Sequence, residues 1–276
     1  MIRAREVDAP PGDFVARPAP ARAIVALARV EGTRLARHPA IIVTVAITFL
    51  QSAPALLSSD YTSEHNVGWL IQVPALLISF GALLAANLQA LKSRRDGSEE
   101  LFQAAPLSPA RRTLALALAA VWVMAVLTLL LLAGDVAVRA AGKGAATDTG
   151  QALFPLFDLV QGPLLAGLFV VIGIAVARWF PNALAGPVTL VAMVVAGTRI
   201  LHAATDQAWL RLTPFDPTFL DDGGTLQAMH VVYLGGLAAV VLAIALLRFG
   251  WTRSARTWLI GGGVAAAASG AFQLAS

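Results

Sequence analysis

Hydrophobic positions in this chain fall in long unbroken runs. Pro39–Leu57, Trp69–Leu91, Thr113–Val136, Asp158–Val176, Asn182–Leu201 and Met229–Leu247 each come close to or exceed the roughly twenty residues a helix needs to cross a bilayer core. None alternates apolar and polar residues as a half-buried strand does, so the pattern predicts a helical bundle and not an outer-membrane barrel. A weaker seventh run, Trp258–Ala275, is mostly Gly, Ala and Ser, and its transfer into lipid is close to balanced.

Arg22–Arg37 has a different period. At about 100° per residue, Arg22, Arg29 and Arg37 share one face and Ile24, Ala28 and Leu35 the opposite one. A basic amphipathic helix beside a span suits the headgroup level of the anionic cytoplasmic leaflet. Pro39 disfavours helical geometry at His38, so the chain is expected to turn there from lying flat to crossing. The expected organisation is therefore a disordered cytoplasmic tail (1–21), an amphipathic interfacial helix (22–38), a six-span domain (39–249), and a basic linker with the weak seventh segment (250–276). No cleavable signal peptide is read in the first twenty residues, which lack an apolar core and are rich in Pro and Ala.

Composition changes the picture only by strengthening it. Hydrophobic residues make up 58% and charged residues 13%, against about 25% charged in soluble domains, and mean hydropathy is +0.73. A chain this apolar cannot cover itself with polar surface, so the reading is an all-α integral membrane protein. The formal charge of +4 would suit a nucleic-acid binder. Its cations instead sit at the ends of the runs, as the positive-inside rule requires, so no nucleic-acid partner is expected. Arg3 to Arg37, Lys92, Arg94, Arg95, Arg111, Arg112, Arg178, Arg248, Arg253 and Arg256 fall on one side, which is then the cytoplasm. Asp60, Glu64, Asp148, Asp206, Asp216, Asp221 and Asp222 fall on the other. The absence of cysteine excludes disulfides and thiolate chemistry. Arginine far outnumbers lysine, which is confined to Lys92 and Lys143, and this with abundant Ala, Gly and Val points to a bacterium with a GC-rich genome.

Two polar interruptions stand out. Arg199–Ala228 mixes Ile200, Leu201, Trp209 and Leu210 with Pro214, Pro217, Gly223 and Gly224, which predicts short broken helices near the outer surface. Lys92–Arg112 places five basic and three acidic residues between two spans. Asp96 or Ser98 can cap a short helix with Glu99 and Glu100 in its first turn. Leu101, Phe102 and Ala105 form its apolar side, and Pro106 ends it. Ser108-Pro109 then reads as an N-cap with proline at the first helical position of the next span. A short rigid element held between two spans is a contact surface for a soluble partner.

Gly97-Ser98-Glu99-Glu100-Leu101-Phe102 followed by Pro106-Leu107-Ser108-Pro109 resembles the G-T-x-E-x-L…P-[LV]-[ST] pattern in the first cytoplasmic loop of type-2 ABC transporter permeases. The basic helix ending at Arg37-His38-Pro39 resembles that family's connecting helix, and the likeness extends from Arg22 to about Phe249. It implies an ATPase-coupling element at Gly97, Ser98, Glu99, Glu100, Leu101, Phe102, Ala105 and Pro106, and an interfacial helix carrying Arg22, Arg29, Arg34 and Arg37. It also implies a six-span core, two copies of an ABC ATPase as partners, and a second permease subunit. The function implied is export of a hydrophobic or amphipathic substrate (drug, antibiotic, lipid or glycan) across the bacterial inner membrane. Two other readings stand beside it, a non-transporting assembly or anchoring subunit and an ATP-independent carrier.

Other chemistry is sparse. No G-x-x-x-x-G-K-[ST] loop occurs, so ATP and Mg²⁺ are expected on a separate polypeptide, and the chain itself is not expected to be an enzyme or to hold a cofactor. The runs hold essentially no deep ionisable residues, which disfavours a proton-coupled carrier. Asp135, Asp158 and Arg199 fall near the outer ends. His202, Asp206 and His230 are weak metal ligands by spacing and read as scattered loop residues. Gln72, Asn87, Gln89 and Gln161 are placed to bond across helices.

Overall fold

The structure is a computed structural model, and it describes residues 20–57, 64–96, 107–140, 156–203 and 225–275. Among these the fold is all-helical, with no strand. The helices are α1 (Pro20–Ala36), α2 (Pro39–Leu57), α3 (Glu64–Arg95), α4 (Pro109–Leu118), α5 (Ala120–Ala140), α6 (Leu156–Trp179), α7 (Ala185–Ala203), α8 (Thr225–Leu247) and α9 (Arg253–Ala275).

Five of the segments are long and apolar enough to cross a membrane: Val73–Lys92, Pro109–Gly134, Val160–Trp179, Thr225–Leu247 and Arg253–Ala275. A sixth is added if α1 and α2, which bend by 48° at their junction, count as one. This set differs from the expected six. Pro39–Leu57 is a 19-residue helix with those bounds, entered from α1 across the bend. The run Asn182–Leu201 becomes helical only from Ala185, because Asn182 forms a turn in which its Oδ1 accepts from Leu184 N (3.0 Å) and its carbonyl from Ala185 N (3.1 Å). The helix that remains, α7, runs for 19 residues from Ala185 to Ala203, about 28 Å at 1.5 Å per residue. The weak seventh run, by contrast, begins earlier than expected and is a full-length helix.

The ends follow local rules. α1 stops before His38-Pro39 as the proline requires, and Ala40 N donates to His38 Nδ1 at 3.2 Å, capping α2. Ser108 caps α4 with Pro109 in its first turn, and its side chain accepts from Arg111 N at 3.4 Å. Ala119 N donates to both Ala115 O (3.1 Å) and Leu116 O (3.2 Å), a tightened turn that joins α4 to α5 within one span. Pro74 and Pro163 lie inside α3 and α6, as neighbouring helices permit in membrane bundles. Gly250, with φ of 108°, makes the turn between α8 and α9, a conformation that favours glycine.

α6 is the centre of the bundle, packed on α3, α5 and α8, with α2 outside α3 and α9 outside α8. Leu165, Ala166, Phe169, Val170 and Ile174 are buried along it. Small residues decide how close the helices come, since lipid removes the hydrophobic drive for helix association and leaves van der Waals contact. Gly173 lies against the backbone of α3, where a Cβ would meet Leu83 O and stand 3.1 Å from Asn87 N. Gly81 on α3 lies against Ala40 and Thr44 of α2 in the same way. Ala75, Ala82, Ala85, Ala86 and Ala90 complete the buried faces of α3.

Candidate functional site at the basic end of the bundle

The coupling residues read from the sequence, Gly97, Ser98, Glu99, Glu100, Leu101, Phe102, Ala105 and Pro106, lie outside the described residues. Both of their anchors are described. On one side α3 ends at Arg95 and Asp96 N donates to Lys92 O (2.9 Å). On the other, Ser108 opens α4, and Arg112 Nε donates to Leu107 O (3.1 Å). The broken segment expected at Arg199–Ala228 is narrowed at both edges, since Arg199–Ala203 belong to α7 and Thr225–Ala228 to α8; 204–224 lie outside the described residues.

Between these anchors sits α1, and its amphipathic pattern is realised as packing. Ala28 and Leu35 are buried; Arg22, Arg29, Arg34 and Arg37 are exposed. Gly32 lies under the indole of Trp122 from α5, whose Cδ1 and Nε1 fill the space a side chain would need. Trp122 Nε1 donates to Arg29 O at 3.0 Å. On the α3 side, Gln89 Nε2 donates to Glu31 O (3.0 Å) and to the Glu31 carboxylate. Arg34 Nη1 meets the same carboxylate at 3.3 Å, but with Arg34 exposed this pair adds only about 0–1 kcal/mol. α1 is thus pinned to α3 and α5, and α4 packs on it as well. The two helices that border 97–106 are joined through α1.

The α1–α2 bend and the end of α3 enclose a cleft of about 750 Å³. Arg34, Arg37, Lys92 and Arg95 line it with His38, and Asp96 is the one acid on its wall among the described residues. Partial burial lowers the His38 pKa from its ordinary value near 6.5. Burial favours the neutral imidazole, the form whose Nδ1 lone pair accepts from Ala40 N. Arg34 and Arg37 are brought together with Lys92 here, while Arg22 and Arg29 are not among the lining residues.

The ends of α6 and α8 are also tied to each other. Trp179 Nε1 donates to Ile244 O at 2.9 Å, and the Arg178 guanidinium lies 5.8 Å from the Phe249 ring centroid. Arg256 lies 6.0 Å from the Trp251 ring centroid across the α8–α9 turn.

Of the polar residues expected to bond across helices, Gln89 reaches α1 and Asn87 Nδ2 donates to Gly173 O of α6 at 3.4 Å. Among the described residues His230 meets no metal-binding neighbour. Its Nδ1 pairs with Gln273 Oε1 of α9 at 3.0 Å, and both side chains are buried. Among the described residues no group of His, Asp and Glu could hold a metal ion; Asp206 lies outside them. The sequence reading missed the Gly32–Trp122 contact and the Glu31–Gln89 bridge. A lone glycine and a lone acid within an arginine-rich helix were the available signals.

Comparisons with protein-family models, with curated proteins and with solved structures found no match for this chain.

Proposed function

We propose that this protein is the membrane-spanning permease subunit of an ATP-driven exporter of the type-2 ABC kind. It works as a homodimer or heterodimer with two copies of a separate ATPase subunit in a bacterial inner membrane. Its core is six spans, with α1 at the cytoplasmic headgroup level and α2 entering the bilayer from it. The observation that carries this reading is that α3 and α4 both pack against α1; the stretch of sequence that joins them, 97–106, resembles the permease coupling element. A push on that segment is then delivered to a braced unit of α1, α3, α4 and α5, and through α3 to the central helix α6. ATP-driven closure of the ATPase pair supplies the push, and the substrate is hydrophobic or amphipathic.

The test is co-purification of the tagged full chain from its native host. An ABC ATPase should accompany the wild type in stoichiometric amount. Leu101→Asp with Phe102→Asp should release it, since loss of an apolar anchor from a small interface costs about 2 kcal/mol or more. Glu100→Ala should weaken it less, by about 0–1 kcal/mol. Retention of the ATPase by the double variant, or no ATPase with the wild type, would overturn the assignment.

A further inference from the structure

We infer that the cleft at the α1–α2 bend binds the phosphodiester headgroup of an anionic phospholipid, held as a resident lipid and not as cargo. The inference needs only that the apolar helices lie in a bilayer. It does not depend on the exporter reading, and its test uses the chain without any ATPase.

Charge is the first support. Among the described residues, Arg34, Arg37, Lys92 and Arg95 line the cleft against Asp96 alone. Glu31, the nearby acid on α1, is already engaged by Gln89 and Arg34. Arg37, Lys92 and Arg95 have no ion pair among the described residues. Cations gathered around a concave wall repel one another, and a bound anion relieves that repulsion. Basic pockets between membrane helices on the cytoplasmic side take anionic lipid headgroups for this reason.

Shape and surroundings are the second. A volume of about 750 Å³ suits a ligand of headgroup size with its glycerol. Directly past the bend, α2 exposes Ile42, Val43, Ile47 and Phe49. A phosphate among the cations therefore has an apolar helix surface beside it for its acyl chains. A free phosphate would use only the cations, and an acidic protein segment would have no use for the apolar face. The lipid is the occupant that uses both.

The experiment is native mass spectrometry of the delipidated full chain titrated with phosphatidylglycerol, phosphatidylcholine, inorganic phosphate or a polyglutamate peptide, with melting temperature as a second readout. Phosphatidylglycerol should bind and raise the melting temperature, and the other three should not. With each cation contributing about fivefold, the Arg37→Gln, Lys92→Gln, Arg95→Gln variant should bind about a hundredfold more weakly. These side chains are exposed, so the variant should fold, as judged by its own melting transition. The control Arg22→Gln, Arg29→Gln removes two charges outside the cleft and should bind within about twofold of wild type. Equal loss in both variants would reduce the effect to general surface charge and overturn the site. Phosphatidylcholine binding as well as phosphatidylglycerol would overturn the role of charge. Inorganic phosphate or the peptide matching phosphatidylglycerol would overturn the lipid assignment.

Discussion

Gly236 of α8 and Gly262 of α9 meet backbone to backbone: a Cβ on either would stand 2.8 Å from the carbonyl oxygen of the other. The contact continues at Ala266, whose N would lie 2.7 Å from a Gly236 Cβ, and at Ala239, whose Cβ would lie 2.6 Å from one on Gly262. Gly262 and Ala266 are four apart, the small-xxx-small spacing that lets membrane helices approach closely. Near the other end of the pair, His230 bonds Gln273. α9 is held along its length and is not a loose appendage.

Gly262→Leu should therefore separate α9 from α8. Overpacking of a tight contact costs about 1–3 kcal/mol. Gly261→Leu, at a glycine with nothing within 4 Å of a Cβ, should cost much less. The melting temperature in detergent checks this, and equal effects at the two neighbours would refute the close approach.

Gln273→Leu should destabilise the chain by about 1–3 kcal/mol, because it leaves the Nδ1 of buried His230 without its bond. Replacing both residues by apolar ones (His230→Phe with Gln273→Leu) should cost less than the two single changes added together. A double-mutant cycle on melting free energies measures this coupling.

Trp122→Ala should loosen α1 by removing both the indole over Gly32 and the bond to Arg29 O. Trp122→Phe should retain part of the packing and lose about 0.5–1.5 kcal/mol for the bond. Protease cleavage within Arg22–Arg37 should quicken in the order wild type, Phe, Ala. An unchanged cleavage rate in the Ala variant would show that α1 is held by its other contacts.

Stability should fall as pH drops through about 6.5. Burial lowers the folded pKa of His38 below its unfolded value, so between those two values the unfolded chain binds more protons and stability rises with pH. Below both values the loss levels off. Arg34, Arg37, Lys92 and Arg95 around the imidazole act in the same sense, and Asp96 opposes them. His38→Asn retains a side-chain acceptor for Ala40 N and should flatten the melting temperature between about pH 7.5 and about pH 5. An equally steep pH profile in that variant would assign the effect to other groups.

Topology is tested without interference, because the chain has no native cysteine. The basic-side rule puts Ser98→Cys inside and Ser63→Cys outside, so an impermeant thiol reagent on whole cells should label only the second. If α9 crosses, Leu274→Cys should be labelled as well. Labelling of Ser98→Cys alone would invert the orientation and remove the coupling element from the cytoplasm.

Apolar runs, breakers and arginine placement were enough to determine an all-helical chain with helices of membrane length, the bend at His38-Pro39, the Ser108-Pro109 start, and which face of α1 is buried. Each of these is a local property, set by helix period, by the fixed φ of proline or by a cap within a few residues. The late start of α7 was visible only as the Asn182 turn, and the length of α9 was hidden because Gly, Ala and Ser lower its hydropathy while serving its packing. Only the tertiary structure decided that Gly32 lies under Trp122, that Glu31 answers Gln89, that Gly236 faces Gly262, and that Arg34, Arg37, Lys92 and Arg95 share one cleft. These residues are far apart in the chain, and an apolar stretch carries no mark of whether it faces lipid or another helix. What brings them together is how closely Gly32, Gly81, Gly236 and Gly262 let α1, α3, α8 and α9 approach their neighbours, and that depends on both sides of each contact at once.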